Sequence, residues 1–444
     1  MKTNPIRALY LRALLILLPA GGLATAAESG PLPDPFGLPA ALDYALSHNF
    51  TIQQARERIK QQTGVELEVS ARRIPSLSAA ANYTRQDESL SSPFSPADRD
   101  WGLQVQASQV IYAGGGVMAA GRSATLAREA AELELRGVIN EQLLAVRAQF
   151  FTVLLAQRQI EVQEENIKLL EEQLRNARNR FEAGATSNFE VLRAEVALAN
   201  GRPDLITARN NYRIALEELR LVIGYTDNGA GAFPAVAGSL NVEDAAEYDL
   251  VDALNAARSR RPELQRLAKL EQAGEKQVDV ARAGYRPEVS VFGQYQWAKG
   301  FGVNGWDNRR EGWIAGVQTQ WAIFDGRATA GRVAQARSQF QQTRLAVEEA
   351  GLAVDVEVRR AHSSFTEAWD LVSASGKVVE QAEEALRLAN VRYSAGTATQ
   401  LDVLTSQVEL TRARLNQLQA FYRYHVALAT LRKAMGLADQ ALGG

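Results

Sequence analysis

Residues 41–224 repeat at 253–436 with a constant offset of 212 and no gap, so any fold for this chain has to use one structural unit twice. The correspondences fall on positions of special backbone geometry or apolar anchoring. Ala41 and Leu42 lie on Ala253 and Leu254, Pro75 on Pro287, Tyr83 on Tyr295, Trp101 on Trp313 and Gly114 on Gly326. The register persists through Val191 and Leu192 on Val403 and Leu404 to Ile223 and Gly224 on Met435 and Gly436. Solenoid repeats recur every ~20–50 residues, so a period this long is a whole unit copied once. The expected division is a leader over 1–27, a first repeat over 28–224, a connector over 225–248, a second repeat over 249–436 and a tail over 437–444.

The leader reads as a secretory signal. Lys2, Arg7 and Arg12 form a basic start, residues 13–20 an apolar run, and residues 23–27 a small-residue cleavage region, with the cut expected between Ala26 and Glu28. That run is shorter than the ~20 residues of a spanning helix, and no later stretch reads as one, so a membrane crossing would have to use β-strands closed into a barrel. Cysteine is absent, which excludes disulfides, thiolate metal sites and a lipid anchor on cysteine. The 49 basic and 51 acidic residues nearly cancel, so bulk charge does not point to nucleic acid.

Each half opens with a helical stretch, over 38–73 and 250–285, stopped by Pro75 and Pro287. The period then changes to alternation: Leu77, Ala79, Ala81 and Tyr83 in the first half, Val289, Val291, Tyr295 and Trp297 in the second. Polar loops over 84–100 and 298–311 lead into second strands. In these, Leu103, Val105, Ala107 and Ile111 alternate with Gln104, Gln106 and Ser108, and Trp313, Ala315, Val317, Trp321 and Ile323 with Gly316, Gln318 and Gln320. A proline-free helical pattern of roughly 65 residues, about 100 Å, then runs to about residues 181 and 393. Its seam in the second copy passes through Val333, Phe340, Val347, Val354, Val358, Phe365, Val372 and Ala389 at coiled-coil spacing with one stutter. A glycine turn at Gly184 or Gly396 reverses the chain into a shorter helix over about 187–223 or 400–435. The short helices are about half the long one, so the economical packing sets one long helix beside two stacked short ones.

Strands with one apolar and one glutamine-lined face are unstable in lipid with open edges, so copies of the chain would have to share a barrel. Trp101, Trp297, Trp306, Trp313 and Trp321 lie in or beside these strands and loops, matching the aromatic girdles of membrane barrels. A soluble β-domain with a tryptophan-rich core is the alternative.

With its two helix–strand–strand–helix–helix halves, and the tip sequences from Arg180 to Leu192 and from Arg392 to Leu404, the chain over 38–436 resembles the TolC-like outer-membrane efflux protein family. The resemblance implies a mainly α-helical homotrimer in the cell outer membrane. Twelve strands, four per subunit, would form one barrel, continuous with a helical tunnel through the periplasm. It implies a passive exit duct, not an enzyme, driven by an inner-membrane transporter through a periplasmic adaptor protein. The tips (Arg180, Phe181, Gly184, Thr186, Glu190, Val191, Leu192; Arg392, Tyr393, Gly396, Ala398, Val403, Leu404) would form the periplasmic entrance and dock the adaptor. By the resemblance, Asp402 falls where the family builds a carboxylate ring around the pore, with capping or solvating the start of its own helix as the alternative. Thr405 takes the place of the family's second aspartate at the constriction, and Ala398 that of an arginine linked to the Tyr393 and Glu190 positions, so a weaker closed state is expected. Trp101, Trp297, Trp313 and Trp321 would form the membrane girdle. A periplasmic coiled-coil adaptor or scaffold is the competing reading, but such proteins would carry one hairpin flanked by lipoyl-like strands.

Chemistry has little support. Residues 116–123 sit between strand and helix like a phosphate-binding loop, but with arginine where lysine is required, and the copy keeps neither the second glycine nor the Arg-Ser pair. His48, His362 and His425 are not spaced as metal ligands, and His425 falls on an apolar helix seam. No cofactor, metal or catalytic residue is assigned, and the cargo is not written in the sequence.

Overall fold

The computed structural model describes residues 32–87, 99–226, 233–242, 247–300 and 309–437. The leader and Trp306 lie outside them. The chain is mainly helical with one small antiparallel sheet, in the order α1 (Leu38–His48), α2 (Phe50–Ala71), β1 (Ser76–Arg85), β2 (Arg99–Ala113), α3 (Gly116–Glu182), α4 (Asn188–Ile223), α5 (Leu250–Arg260), α6 (Pro262–Ala283), β3 (Glu288–Lys299), β4 (Arg309–Gln320), α7 (Ala328–Ser394) and α8 (Gln400–Ala434).

Each opening helix is two helices. Asn49 leaves helical geometry, caps α2 by accepting from the Ile52 amide, and holds Val222 O through its own amide at 2.7 Å. In the second half Pro262 lacks the N–H that an unbroken helix would need, so α6 restarts there with Pro262 in its first turn. The pattern in these stretches is helical throughout, and only the cap chemistry of Asn49 and the internal Pro262 reveal the break.

The long helices α3 and α7 are each 67 residues, about 100 Å. α3 packs against α2 and α6 toward the sheet and against α4 and α8 toward the tips; α7 packs on α5, α6 and α8. The seam of α7 is buried at Val333, Val354, Val358, Ala361, Phe365, Ala368, Val372 and Ala389. One window of α3 is, by length and composition, apolar enough to cross a bilayer, contrary to the sequence expectation. Leu143, Val146, Phe150, Val153 and Leu154 of α3 lie in the core at the waist, packed on Leu42, Leu219, Ile223 and Val236. Truncating a buried phenylalanine such as Phe150 costs ~3–5 kcal/mol. At the same level Phe36 pairs with the connector through Val236, His362 Nε2 meets Tyr248 O at 2.9 Å, and His425 Nε2 meets Leu240 O at 3.1 Å. Two of the three histidines thus pin the connector to α7 and α8.

The sheet order is β1-β2-β3-β4, all antiparallel, leaving β1 and β4 as open edges. Odd-numbered residues put Leu77, Ala79, Leu103, Val105, Val291, Tyr295, Trp313 and Val317 on one face. Even-numbered residues put Ser78, Asn82, Gln104, Gln106, Gln294, Gln296 and Gln318 on the other. On that polar face Gln104 donates to Gln106 at 3.0 Å and to Gln294 at 3.1 Å, a ladder of amides across two strands. The strands reach further than the sequence shows, taking in Thr84, Arg85, Arg99, Lys299 and Arg309 from the expected loops. A bulge between Val110 and Tyr112 sets Tyr112, not Ile111, opposite Val289. β4 ends at Gln320, so Trp321 and Ile323 follow it, and the Trp321 indole donates to Tyr285 O at 3.1 Å instead of continuing the alternation.

Candidate functional site

At the far end from the sheet the two hairpins turn by the same device. The last carbonyls of α3 are taken by Gly184 N to Phe181 O at 2.9 Å and Ala185 N to Arg180 O at 2.8 Å. Those of α7 are taken by Gly396 N to Tyr393 O at 3.1 Å and Thr397 N to Arg392 O at 2.9 Å. Both glycines have left-handed backbone, φ 72° and 76°, which closes each helix.

The returning helices then differ. In α8 the Thr399 amide and hydroxyl each donate to Asp402 Oδ2 at 2.8 Å, and the Asp402 amide donates to Thr399 Oγ1 at 3.3 Å, a complete capping box. The backbone hydrogen bond from Thr399, then that from its hydroxyl, hold the Asp402 carboxyl below the usual aspartate range. In α4 the equivalent Glu190 does not cap; it accepts from Tyr393 Oη at 3.2 Å and so joins the two hairpins. Burial, and next the charge of Glu190, push the Tyr393 phenol up. Arg180 completes the contact, its guanidinium carbon 4.6 Å from the Tyr393 ring centroid and Nη1 donating to Tyr393 O at 3.4 Å. Ala398 is half-buried and brings no polar side-chain atom here, so the positive charge beside Tyr393 comes from Arg180 on the other hairpin.

Of the other tip residues, Val191, Val403 and Leu404 are buried, and Val191 and Leu404 pack with Leu170, Leu174, Ala177, Ala194 and Leu198 between the hairpins. Phe181, Leu192, Arg392, Asp402 and Thr405 are exposed, as is the Gly184 and Gly396 backbone, while Thr186 is half-buried. Asp402 and Thr405 stand one helical turn apart on the same open face of α8. Farther from the turn a node absent from the sequence reading ties α8 to α3: buried Gln407 donates to Asn166 Oδ1 at 3.1 Å, and Thr411 Oγ1 to the same oxygen at 3.3 Å. Arg414 adds Glu165 at 2.5 Å and Glu383 at 2.9 Å. A polar residue at a seam position was the available signal, since Gln407 interrupts the apolar series Val403, Leu404, Leu410.

The strand–helix junction holds no phosphate loop. Residues 116–123 are the first turns of α3, Ser123 donates to Ala273 O at 3.2 Å, and Gly121 makes room for the Arg73 guanidinium, which a Cβ would meet at 1.7 Å. Among the described residues no group of three or more His, Cys, Asp or Glu could hold a metal ion.

A sequence model described as outer membrane efflux protein matches the chain twice, over residues 41–225 and 253–437. The chain is 27% identical to protein CyaE of Bordetella pertussis over 95% of this chain and 88% of that one. It is 24% identical to the cobalt-zinc-cadmium resistance protein CzcC of Cupriavidus metallidurans over 90% of each. Among solved structures, the outer membrane protein VceC of Vibrio cholerae superposes with a TM-score of 0.77 at 19% identity, over 90% of this chain and 96% of that one.

Proposed function

The chain belongs to the outer membrane efflux protein family, and on that premise we propose that three copies join edge to edge into one barrel and one helical tunnel, gated at the tips. It is an outer-membrane exit duct for efflux or secretion, of a family of channels and not of enzymes. The observation that carries the trimer is the sheet. Four strands of 10–15 residues, one face apolar and two edges unpaired, have the length to cross a bilayer when tilted but are stable in lipid only when closed. Joining β4 of one copy to β1 of the next satisfies both edges and turns the amide face inward on water. Trp101, Trp297 and Trp313 then belong to the outer girdle and Trp321 to the inner one.

At the tips, three copies would bring three Asp402 carboxylates together around the axis, with the Thr405 hydroxyls one turn farther along. The gate is held by Arg180, Tyr393 and Glu190 between hairpins and by the Asn166–Gln407 node behind them. With no arginine at 398 the latch that holds the tip closed is weaker, and with no second acid at 405 the constriction holds divalent cations less tightly. The exposed Phe181, Leu192 and Arg392 form the surface offered to a periplasmic adaptor, through which an inner-membrane transporter would drive export; the buried Val191, Val403 and Leu404 keep that surface in shape.

Single-channel recording of the purified protein in planar bilayers tests this. The expected outcome is small cation-selective steps, and in Asp402→Ala larger steps with reduced selectivity. A well-inserted protein whose conductance and selectivity do not respond to Asp402→Ala would remove the carboxylate constriction.

A further inference from the structure

The α7–α8 pair carries a groove that the fold itself does not use. At the waist a cavity of about 380 Å³ lies between the two helices, with Ala368, Leu371, Tyr422, Val426 and Ala427 as its apolar floor. Small-molecule sites are typically ~300–1,000 Å³. Its direction follows from what the other faces of the helices meet. On α7, Asp355 pairs with Arg258 of α5 at 2.5 Å, and His362 meets Tyr248 O before the second repeat. Ser364, in the groove, follows Asp355 by about two and a half turns and so points the opposite way. On α8, His425 meets Leu240 O of the connector, while Arg423 and Ala427 of the groove are each about 200° round the helix from it. The connector and α5 must lie outside an open tunnel, since three copies of them inside would plug it, and the groove therefore faces the lumen. The apolar edge that α7 offers the next copy, Leu345, Leu352 and Val356, is a different side of the helix.

The charges at the rim are unbalanced. Arg360 and Arg423 are exposed and, among the described residues, make no ion pair or hydrogen bond. Of the two carboxylates in the lining, Glu357 is already held by Arg261 at 2.5 Å and Lys433 at 3.5 Å, which leaves Glu367 alone against two guanidiniums. Toward the tips the groove continues, through Leu371 and Arg423, into a second cavity of about 320 Å³ between the same helices, and the single charged residue lining that cavity is Arg423. An apolar floor is stabilised when an apolar body covers it, and a guanidinium pairs bidentately with a carboxylate. We propose that this groove is a cargo-contact site for small amphipathic organic anions, with an apolar ring system on Leu371, Tyr422 and Val426 and a carboxylate on the guanidiniums of the rim. This rests on the duct reading. The groove lies beyond the Asp402 constriction, so an anion held there has already passed the ring that repels it.

The test uses the full-length protein in lipid nanodiscs and equilibrium dialysis, with empty nanodiscs as the blank. The probes are 2-naphthoate, the neutral 2-naphthamide and the cationic 2-naphthylmethylammonium. The expected result is at least about tenfold tighter binding of naphthoate than of either comparator. Arg360→Gln/Arg423→Gln is expected to lose that preference and Arg360→Lys/Arg423→Lys to keep most of it. Ala427→Trp, which fills the groove, is expected to lose binding of all three probes. Naphthamide or naphthylmethylammonium binding as tightly as naphthoate, or an undiminished preference in Arg360→Gln/Arg423→Gln, would each overturn the proposal. A parent protein that conducts normally but shows no preference ends this inference alone, whereas one that makes no pores ends the duct reading and the lumen-facing site with it.

Discussion

Asp402 and Glu190 are the same position in the two repeats, the third residue of a returning helix, yet they use their charge differently. The aspartate carboxylate is spent on its own N-cap, Thr399, while the glutamate carboxylate meets Tyr393 on the neighbouring hairpin. The cap has a consequence for pH. A carboxyl whose pKa is lowered by folding contributes stability that is present above its ordinary range and lost as pH falls through the lowered value. Three such groups around a pore would raise one another, and the Thr399 hydrogen bonds act in the opposite direction. The expected outcome is full cation selectivity at neutral pH, declining only in acid, with Thr399→Val shifting that decline to higher pH because the hydroxyl contact is lost. Reversal potentials measured across a pH series check it; coincident curves for parent and variant would show that the cap does not hold the charge.

Among the elements, the turns separate two demands that sequence alone merges. Gly224 and Gly396 both end helices with left-handed backbone, φ 76° in each case. Nothing lies within 4 Å of where a Cβ on Gly396 would sit, whereas on Gly224 it would be 2.4 Å from His48 O, because the end of α4 is pressed against the α1–α2 break. Gly396→Ala is therefore expected to cost ~1–2 kcal/mol, the ordinary price of a left-handed alanine, while Gly224→Ala adds a backbone clash at the waist. Thermal denaturation of the two variants is expected to show a clearly larger loss for Gly224→Ala, and equal losses would mean that the waist yields. The waist resists for a second reason: Arg261 is buried between Glu357, at 2.5 Å, and Glu263, at 3.3 Å, and Lys433 bridges Glu141 and Glu357 at 2.7 and 3.5 Å. Arg261 is the buried member of this network, so removing Glu357 would leave a buried guanidinium without its shorter ion-pair partner, which is costly.

For the whole molecule, the strongest constraint is that the two faces of the sheet meet different solvents. Val317 lies on the apolar face midway between Trp313 and Trp321, and Gln318 on the amide face beside it. Val317→Arg is expected to destabilise the inserted protein by ~2–4 kcal/mol, and Gln318→Arg to leave insertion intact while changing ion selectivity. Urea titration of the reconstituted protein with conductance as a second readout distinguishes the faces, and equal destabilisation by both would argue against a water-filled interior.

The duplication, the order of elements, the period change from helix to strand and the two faces of the sheet are legible in the residues, since each depends on local geometry and on which side of an element is apolar. The coiled-coil seam of α7, from Val333 to Ala389, was likewise readable from spacing alone. The break at Asn49 is marked in the sequence only by a capping residue type, because the Val222 contact that fixes it is distant in the chain, and the bulge at Val110 needs the register of β3 to exist. The partners of Tyr393, Asn166 and His362 belong to the tertiary structure for the same reason: each is a contact between segments more than a hundred residues apart, which chain periodicity does not encode and only the packing of the repeats on each other and on the connector decides.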